Sequence, residues 1–270
     1  MSTALLIFSD LDGTLLDHRS YCFDVARPAL ARAHAAHVPV IPSTSKTAAE
    51  VDDVVKLLGL NAPAIVENGG GIWFPNSVDD ALRLALGPPG TTRLEILSLL
   101  EGLSDEVGEG FIGFSDMSVE HVMELTGLER FAAEKAKTRQ YSEPGLWVGR
   151  DEDFSAFNEA VYQAGLQVLR GGRFLHVMGL TNKAVQMARL KASYEKLWPD
   201  RTIVTAALGD APNDKEMIEA ADFGFIIANP DGIGIPDLSG EETGQVARMT
   251  NAGPVGWNKA VSGLLDRLEL

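Results

Sequence analysis

Near the start of the chain, Ala4-Leu5-Leu6-Ile7-Phe8 is apolar at every position, which predicts a short strand buried on both faces. An alanine-rich stretch over 24–37 follows as a helix, with Pro28 tolerable only near its first turn. Residues 38–41 read as a second strand. Val51, Val54, Val55 and Leu58 then recur at helical spacing behind Thr47 and Glu50, a capping-box pair. Ala64-Ile65-Val66 is a third strand, closed by the turn-forming run Asn68-Gly69-Gly70-Gly71. The same rhythm returns late in the chain. A helical stripe runs through Met187, Leu190, Tyr194 and Leu197, an apolar strand covers 203–208, a helix passes through Met217 and Ile218, a strand covers 223–227, and a helix within 253–270 closes the chain. Strands alternating with helices predict an α/β fold built on a doubly wound, Rossmann-like parallel sheet.

Residues 84–180 break that rhythm. Leu, Gly and Pro dominate 80–92, and Pro88-Pro89-Gly90 marks a boundary. Strand-like runs at 111–114, 146–148, 167–169 and 174–178, with a helical pattern over 154–164, predict an inserted α/β cap. The expected division is a core of 1–83 plus 181–270 and a cap of 84–180. A length of 270 residues fits two domains of roughly 100–200 residues each.

Charge and cysteine content narrow the function. The net charge is −15 and no basic stripe stands out, so nucleic acid is not an expected partner. A single cysteine, Cys22, permits no intrachain disulfide and no cysteine metal cage. No basic n-region leads the chain, and no apolar run approaches the ~20 residues of a membrane span. A cytoplasmic, soluble protein without a membrane partner is the expectation, and the sequence leaves the oligomeric state open. An anionic substrate of so acidic a protein needs local cations.

The polar groups cluster where parallel sheets bind ligands, at the carboxyl ends of strands. The first strand runs into Asp10, Asp12, Gly13 and Thr14. The second runs into Ser43-Thr44-Ser45-Lys46. The strand at 203–208 runs into Gly209-Asp210, then Asn213 and Asp214. If these strands are neighbours, four carboxylates converge, and a hard divalent cation such as Mg²⁺ is the natural counter-charge. Asp10 can serve as a nucleophile and Asp12 as an acid and base for the leaving alcohol and then water. Gly13 permits the sharp turn and Thr14 can hold it.

"LLIFSDLDGTLL", "VIPSTSKT", "LTNKAVQM" and "LGDAPNDKEM", in that order over nearly the whole chain, resemble the four motifs of the haloacid dehalogenase superfamily of phosphatases. The resemblance implies Asp10 as nucleophile, Asp12 as acid/base, Thr44 and Lys183 as phosphate-facing groups, and Mg²⁺ on Asp10, the Asp12 carbonyl and Asp210, with Asn213 and Asp214 in the same motif. Asn182 stands where the family usually has a glycine. A cap between the second and third motifs is of the type that closes over sugar phosphates. "STSKTAAEV", "VENGGGIWFP", "SEPGLW" and "GGRFLHVMG" further resemble the mannosyl-3-phosphoglycerate phosphatases, which release the compatible solute mannosylglycerate. Lys46 and Asn68 are candidates to face such a substrate from the core, and Arg139, Ser142, Glu143 and Arg173 to read its glyceryl carboxylate and sugar hydroxyls from the cap, since an arginine can bind a carboxylate bidentately. A phosphatase of another sugar phosphate, a phosphomutase on the same scaffold and a non-catalytic sugar-phosphate binder are the rivals. His176, on an apolar strand, reads as a satisfied core residue.

Overall fold

The structure is a computed structural model, describing residues 2–88, 90–107, 110–171 and 173–270. Pro89 of the expected boundary lies outside the described residues. The strands, in chain order, are β1 (Ser2–Ser9), β2 (Val40–Pro42), β3 (Ala64–Val66), β4 (Gly71–Trp73), β5 (Phe111–Gly113), β6 (Ser142–Trp147), β7 (Leu166–Arg170), β8 (Leu175–Gly179), β9 (Arg201–Gly209), β10 (Phe223–Ala228) and β11 (Val246–Ala252).

The core is a parallel sheet in the order β11-β10-β9-β1-β2. A parallel bridge between Ser43 and Ile65 carries β3 beyond β2, and β3 pairs antiparallel with β4. The central strand explains the two-sided burial. Leu5 and Ile7 pack with Ala29, Ala33, Trp257 and Val261 on one face. Ala4, Leu6 and Phe8 pack with Met187, Leu190, Met217 and Ile218 on the other. A strand sandwiched between helix layers has to be apolar throughout. In register, Ser9 lies opposite Leu208 on one side and Pro42 on the other, so the polar ends of β1, β2 and β9 emerge together.

The cap is a separate antiparallel sheet in the order β5-β6-β8-β7. Helices Arg93–Val107 and Asp151–Gln163 cover one face through Ile96, Phe157 and Val161. Helices Val119–Thr126 and Arg130–Lys137 pack around Phe114, Met117 and Val122.

Two sequence expectations shift. Helix Asp80–Leu86 crosses the expected 83/84 boundary, yet Leu82 is buried in the core cluster and Leu86 packs against it. The layers therefore change after Leu86. Strand β6 begins four residues before the expected 146–148, because Ser-Glu-Pro-Gly resembles a turn. Proline is tolerated here for a geometric reason. The Pro144 carbonyl accepts from Phe114 N on the β5 side, and the Phe114 carbonyl that a Pro144 N–H would have reached accepts instead from Lys137 Nζ at 2.7 Å.

Candidate active site

The first motif continues beside β9 for one residue, with Asp10 N donating to the Leu208 carbonyl at 2.9 Å. Residues 11–16 then close a tight loop, Gly13 N bonding to Leu16 O and Leu16 N to Leu11 O. Gly13 has φ +86°, and a Cβ there would lie 2.7 Å from Asp210 Oδ2, so no other residue fits. Thr14 Oγ1 donates to Asp210 Oδ1 at 2.8 Å, tying the first motif to the fourth rather than closing its own turn. Behind the loop, the fully buried Trp257 donates to Ser9 Oγ, which donates to the Asp10 carbonyl.

Lys183 opens helix Lys183–Leu197, capped by Asn182, whose Oδ1 accepts from Val185 N at 2.9 Å. An asparagine cap is as good a helix start as the usual glycine. A cation at a helix N-terminus opposes the helix dipole. The ammonium is held there by Asp10 Oδ1 at 2.8 Å and Asp214 Oδ1 at 2.6 Å. Burial works against its charge, but Asp10 and Asp214 outweigh it and raise its pKa above the ordinary lysine value. Burial drives the Asp10 carboxyl well above the usual range, Lys183 opposing and Asp214 and Asp210 adding to the rise. Burial, with Asp214 beside it, pushes Asp210 up to about 6.

Asp10, Asp210 and Asp214 are all buried, and each offers an oxygen within 4.8 Å of the others. Three carboxylates gathered out of water suit a hard, oxygen-binding divalent cation. The metal candidates from the sequence divide on this point. Asp12 directs Oδ2 to Lys46 Nζ at 2.8 Å, and its enclosed Oδ1 has no partner among the described residues. Asn213 donates to Asn68 Oδ1 at 3.1 Å. Lys46 also stands 5.2 Å from the centre of the Tyr21 ring. Thr44 is buried beside the loop, its Oγ1 accepting from Lys46 N, while the neighbouring Ser43 Oγ is buried without a partner among the described residues.

The cap candidates sit differently from the sequence expectation. Arg139 Nε contacts Ser142 Oγ at 2.9 Å and Glu67 Oε2 at 3.3 Å, and Nη2 donates to the Ser45 carbonyl. Glu143 is fully buried against Arg93 and accepts from Ser115 N. Arg173 corrects the sequence reading: it is exposed and donates to the carbonyls of Leu125 and Thr126, capping the end of a cap helix. His176 is a second correction, because its enclosed Nδ1 has no partner among the described residues. Burial and then Arg139 push its pKa down to about 3.

Sequence reasoning missed two participants. Asn229 donates to Asp210 Oδ2 at 2.7 Å, and its signal was an amide directly after the apolar strand β10. Glu67 is fully buried and accepts from the cap, with no periodicity to announce it.

A loop carrying Asp10 at the end of a central parallel strand, with a buried lysine and an acidic triad beside it, belongs to a chain that comparison with known proteins shows to be a phosphoric monoester hydrolase. The chain belongs to the haloacid dehalogenase-like hydrolases, whose family model matches residues 7–83. It is 36% identical, over 97% of both chains, to the glucosyl-3-phosphoglycerate/mannosyl-3-phosphoglycerate phosphatase of Methanococcoides burtonii. Two solved structures share the fold. One is a Thermoplasma acidophilum protein (TM-score 0.66, 16% identity, 99% of both chains). The other is the Synechocystis sucrose-phosphatase in complex with sucrose and phosphate (TM-score 0.58, 15% identity, 100% of this chain and 99% of that one).

Proposed function

We propose that the protein is a Mg²⁺-dependent phosphatase of glycosyl-3-phosphoglycerates, releasing mannosylglycerate from mannosyl-3-phosphoglycerate. The observation that carries the reading is the 36% identity, running through core and cap alike, to an enzyme named for the glucosyl and mannosyl esters. The buried set of Asp10, Lys183, Asp210 and Asp214 supports the chemistry.

Asp10 attacks phosphorus, its carboxylate oxygen forming the new P–O bond as the bond to the glyceryl C3 oxygen breaks. Asp12 gives that oxygen its proton, and later takes one from the water that hydrolyses the aspartyl-phosphate. Lys183 holds the Asp10 carboxylate in place and offers positive charge to the phosphoryl oxygens. Asp10, Asp210 and Asp214 would hold Mg²⁺, which would supply charge to the transferring phosphoryl group. Thr44 and Asn68 stand on the adjoining loops to orient the substrate. Asn229 and Thr14 keep Asp210 turned toward the triad.

The test is phosphate release from mannosyl- and glucosyl-3-phosphoglycerate, sucrose 6-phosphate and hexose 6-phosphates. Preference for the two phosphoglycerates by tenfold or more in kcat/KM supports the reading. A hexose phosphate turned over better than both overturns it.

A further inference from the structure

Between β3 and β4 the backbone does something costly. Glu67 and Asn68 are consecutive non-glycine residues in the left-handed region, at φ +52° and +58°, and Gly69 follows at φ +92°. Such conformations persist only where the surroundings over-determine them. Here the surroundings lie on two sides. The Asn68 side chain reaches Asn213 in the fourth-motif loop. The Glu67 side chain points into the cap, where Oε1 accepts from Gln140 N at 2.8 Å and Oε2 accepts from Tyr141 N at 3.1 Å and Ser142 Oγ at 2.7 Å. Arg139 adds its charge at 3.3 Å and reaches on to the Ser45 carbonyl beside Thr44.

We infer that Glu67 is a positioning residue that registers cap strand β6 against the active-site loops, and so sets how well large, cap-contacting phosphate esters are held for attack. The physical reason is that a buried carboxylate binding two backbone N–H groups, a hydroxyl and a guanidinium defines one placement of its partners. Its own backbone is fixed by the strained turn, with Glu67 N bonded to Lys46 O and Asn68 N to Thr44 O. The second-motif loop, the fourth-motif loop and the start of β6 therefore share one anchor. Close packing reinforces it, since a Cβ on Gly70 or Gly71 would collide with Tyr141. The inference rests on the phosphatase reading and not on which sugar the enzyme prefers.

The experiment compares wild type with Glu67→Gln on mannosyl-3-phosphoglycerate and on p-nitrophenyl phosphate, a small ester that needs no cap contact. Glutamine keeps the size but replaces one acceptor oxygen with a donor facing Tyr141 N or Gln140 N. The expected result is a loss of tenfold or more in kcat/KM on the large ester, with p-nitrophenyl phosphate within threefold of wild type. Amide exchange at Gln140 and Tyr141 accelerates, while β1 exchanges as before. If Glu67→Gln fails to fold, Glu67→Asp, which keeps the charge but draws the carboxylate back from Gln140 N and Tyr141 N, is expected to show the same selective pattern at about threefold. Equal losses on both esters, or no loss on either, overturn the inference. If wild type ignores mannosyl-3-phosphoglycerate, the proposed substrate fails instead, and the comparison is made on the hexose phosphate it hydrolyses best.

Discussion

Replacing Lys183 with Met tests the electrostatic logic of the site. Methionine keeps much of the volume and removes the charge. At 2.8 Å and 2.6 Å, each ion pair carries a gross attraction of about 6 kcal/mol at an effective dielectric constant near 20. Desolvation cancels much of this, and removing one partner of a buried pair costs about 3–5 kcal/mol net. Carboxylates left alone can take up protons, which places Lys183→Met near the lower end, at about 3 kcal/mol. For a chain of this size that is a fall in Tm of roughly 6–12 °C. The measurement is thermal melting in chelator, followed by Mg²⁺ titration. A divalent cation at about 100 times its Kd returns about 2.7 kcal/mol, so Mg²⁺ restores most of the lost Tm. It does not restore turnover, because the missing ammonium is a donor to the transferring group, and kcat stays down by about 10²–10³. A Tm within 2 °C of wild type in chelator, or a kcat within tenfold, would refute this account.

Asp10→Asn is expected to reduce phosphate release below about 1% of wild type, because an amide does not form the aspartyl-phosphate. Its melting temperature should not fall, since one of three crowded acids has been neutralised; retained turnover would remove Asp10 from its role. Chelation is expected to abolish activity, Mg²⁺ to restore it and Ca²⁺, with its longer and looser coordination, to fail; full activity in a metal-stripped sample refutes this. Acid sensitivity should come partly from His176, whose folded pKa of about 3 lies below the ordinary 6.5. The unfolded chain then binds the extra proton, so this stability is present above pH 6.5 and is lost as pH falls toward 3, about 1.4 kcal/mol of it by pH 5.5. Urea unfolding at pH 7 and 5.5 should show a smaller drop in His176→Gln than in wild type, and equal drops would exclude the histidine.

How legible this was depended on whether the signal was local. The strand before Asp10 and the turn behind it lie in one dozen residues, so strand, acids and Gly13 could be read together. The Thr47–Glu50 capping box was equally local and forms as expected. Strand β11 was missed because it lies at the sheet edge with mostly exposed side chains, and so carries no apolar run. Arginines are the clearest failure. Arg139 and Arg173 were expected at the substrate because their type suits carboxylates, yet one binds Glu67 and the other a helix end. Residue type gives a side chain's chemistry, while its partner is set by contacts dozens of residues away.

That failure bears on the charge problem posed by a net −15. Lys183 pairs with Asp10 and Asp214, Lys46 with Asp12, Arg139 with Glu67 and Arg93 with Glu143. Each of these cations is already matched. With every member ionised, Asp10, Asp210 and Asp214 carry −3 and Lys183 +1, leaving −2 where a phosphate anion must arrive. Under the proposed chemistry such a cluster repels the ester, and the pKa values of Asp10 and Asp210, raised first by burial, are raised further by the same neighbouring carboxylates. Under the proposed chemistry, Mg²⁺ brings the count to zero. The remaining phosphoryl charge then needs a donor, and Lys46, held by Asp12 Oδ2 at 2.8 Å, could contribute only by loosening that pairing. An Asp12 released from Lys46 in that way would be free to handle the leaving-group proton that the proposed chemistry gives it.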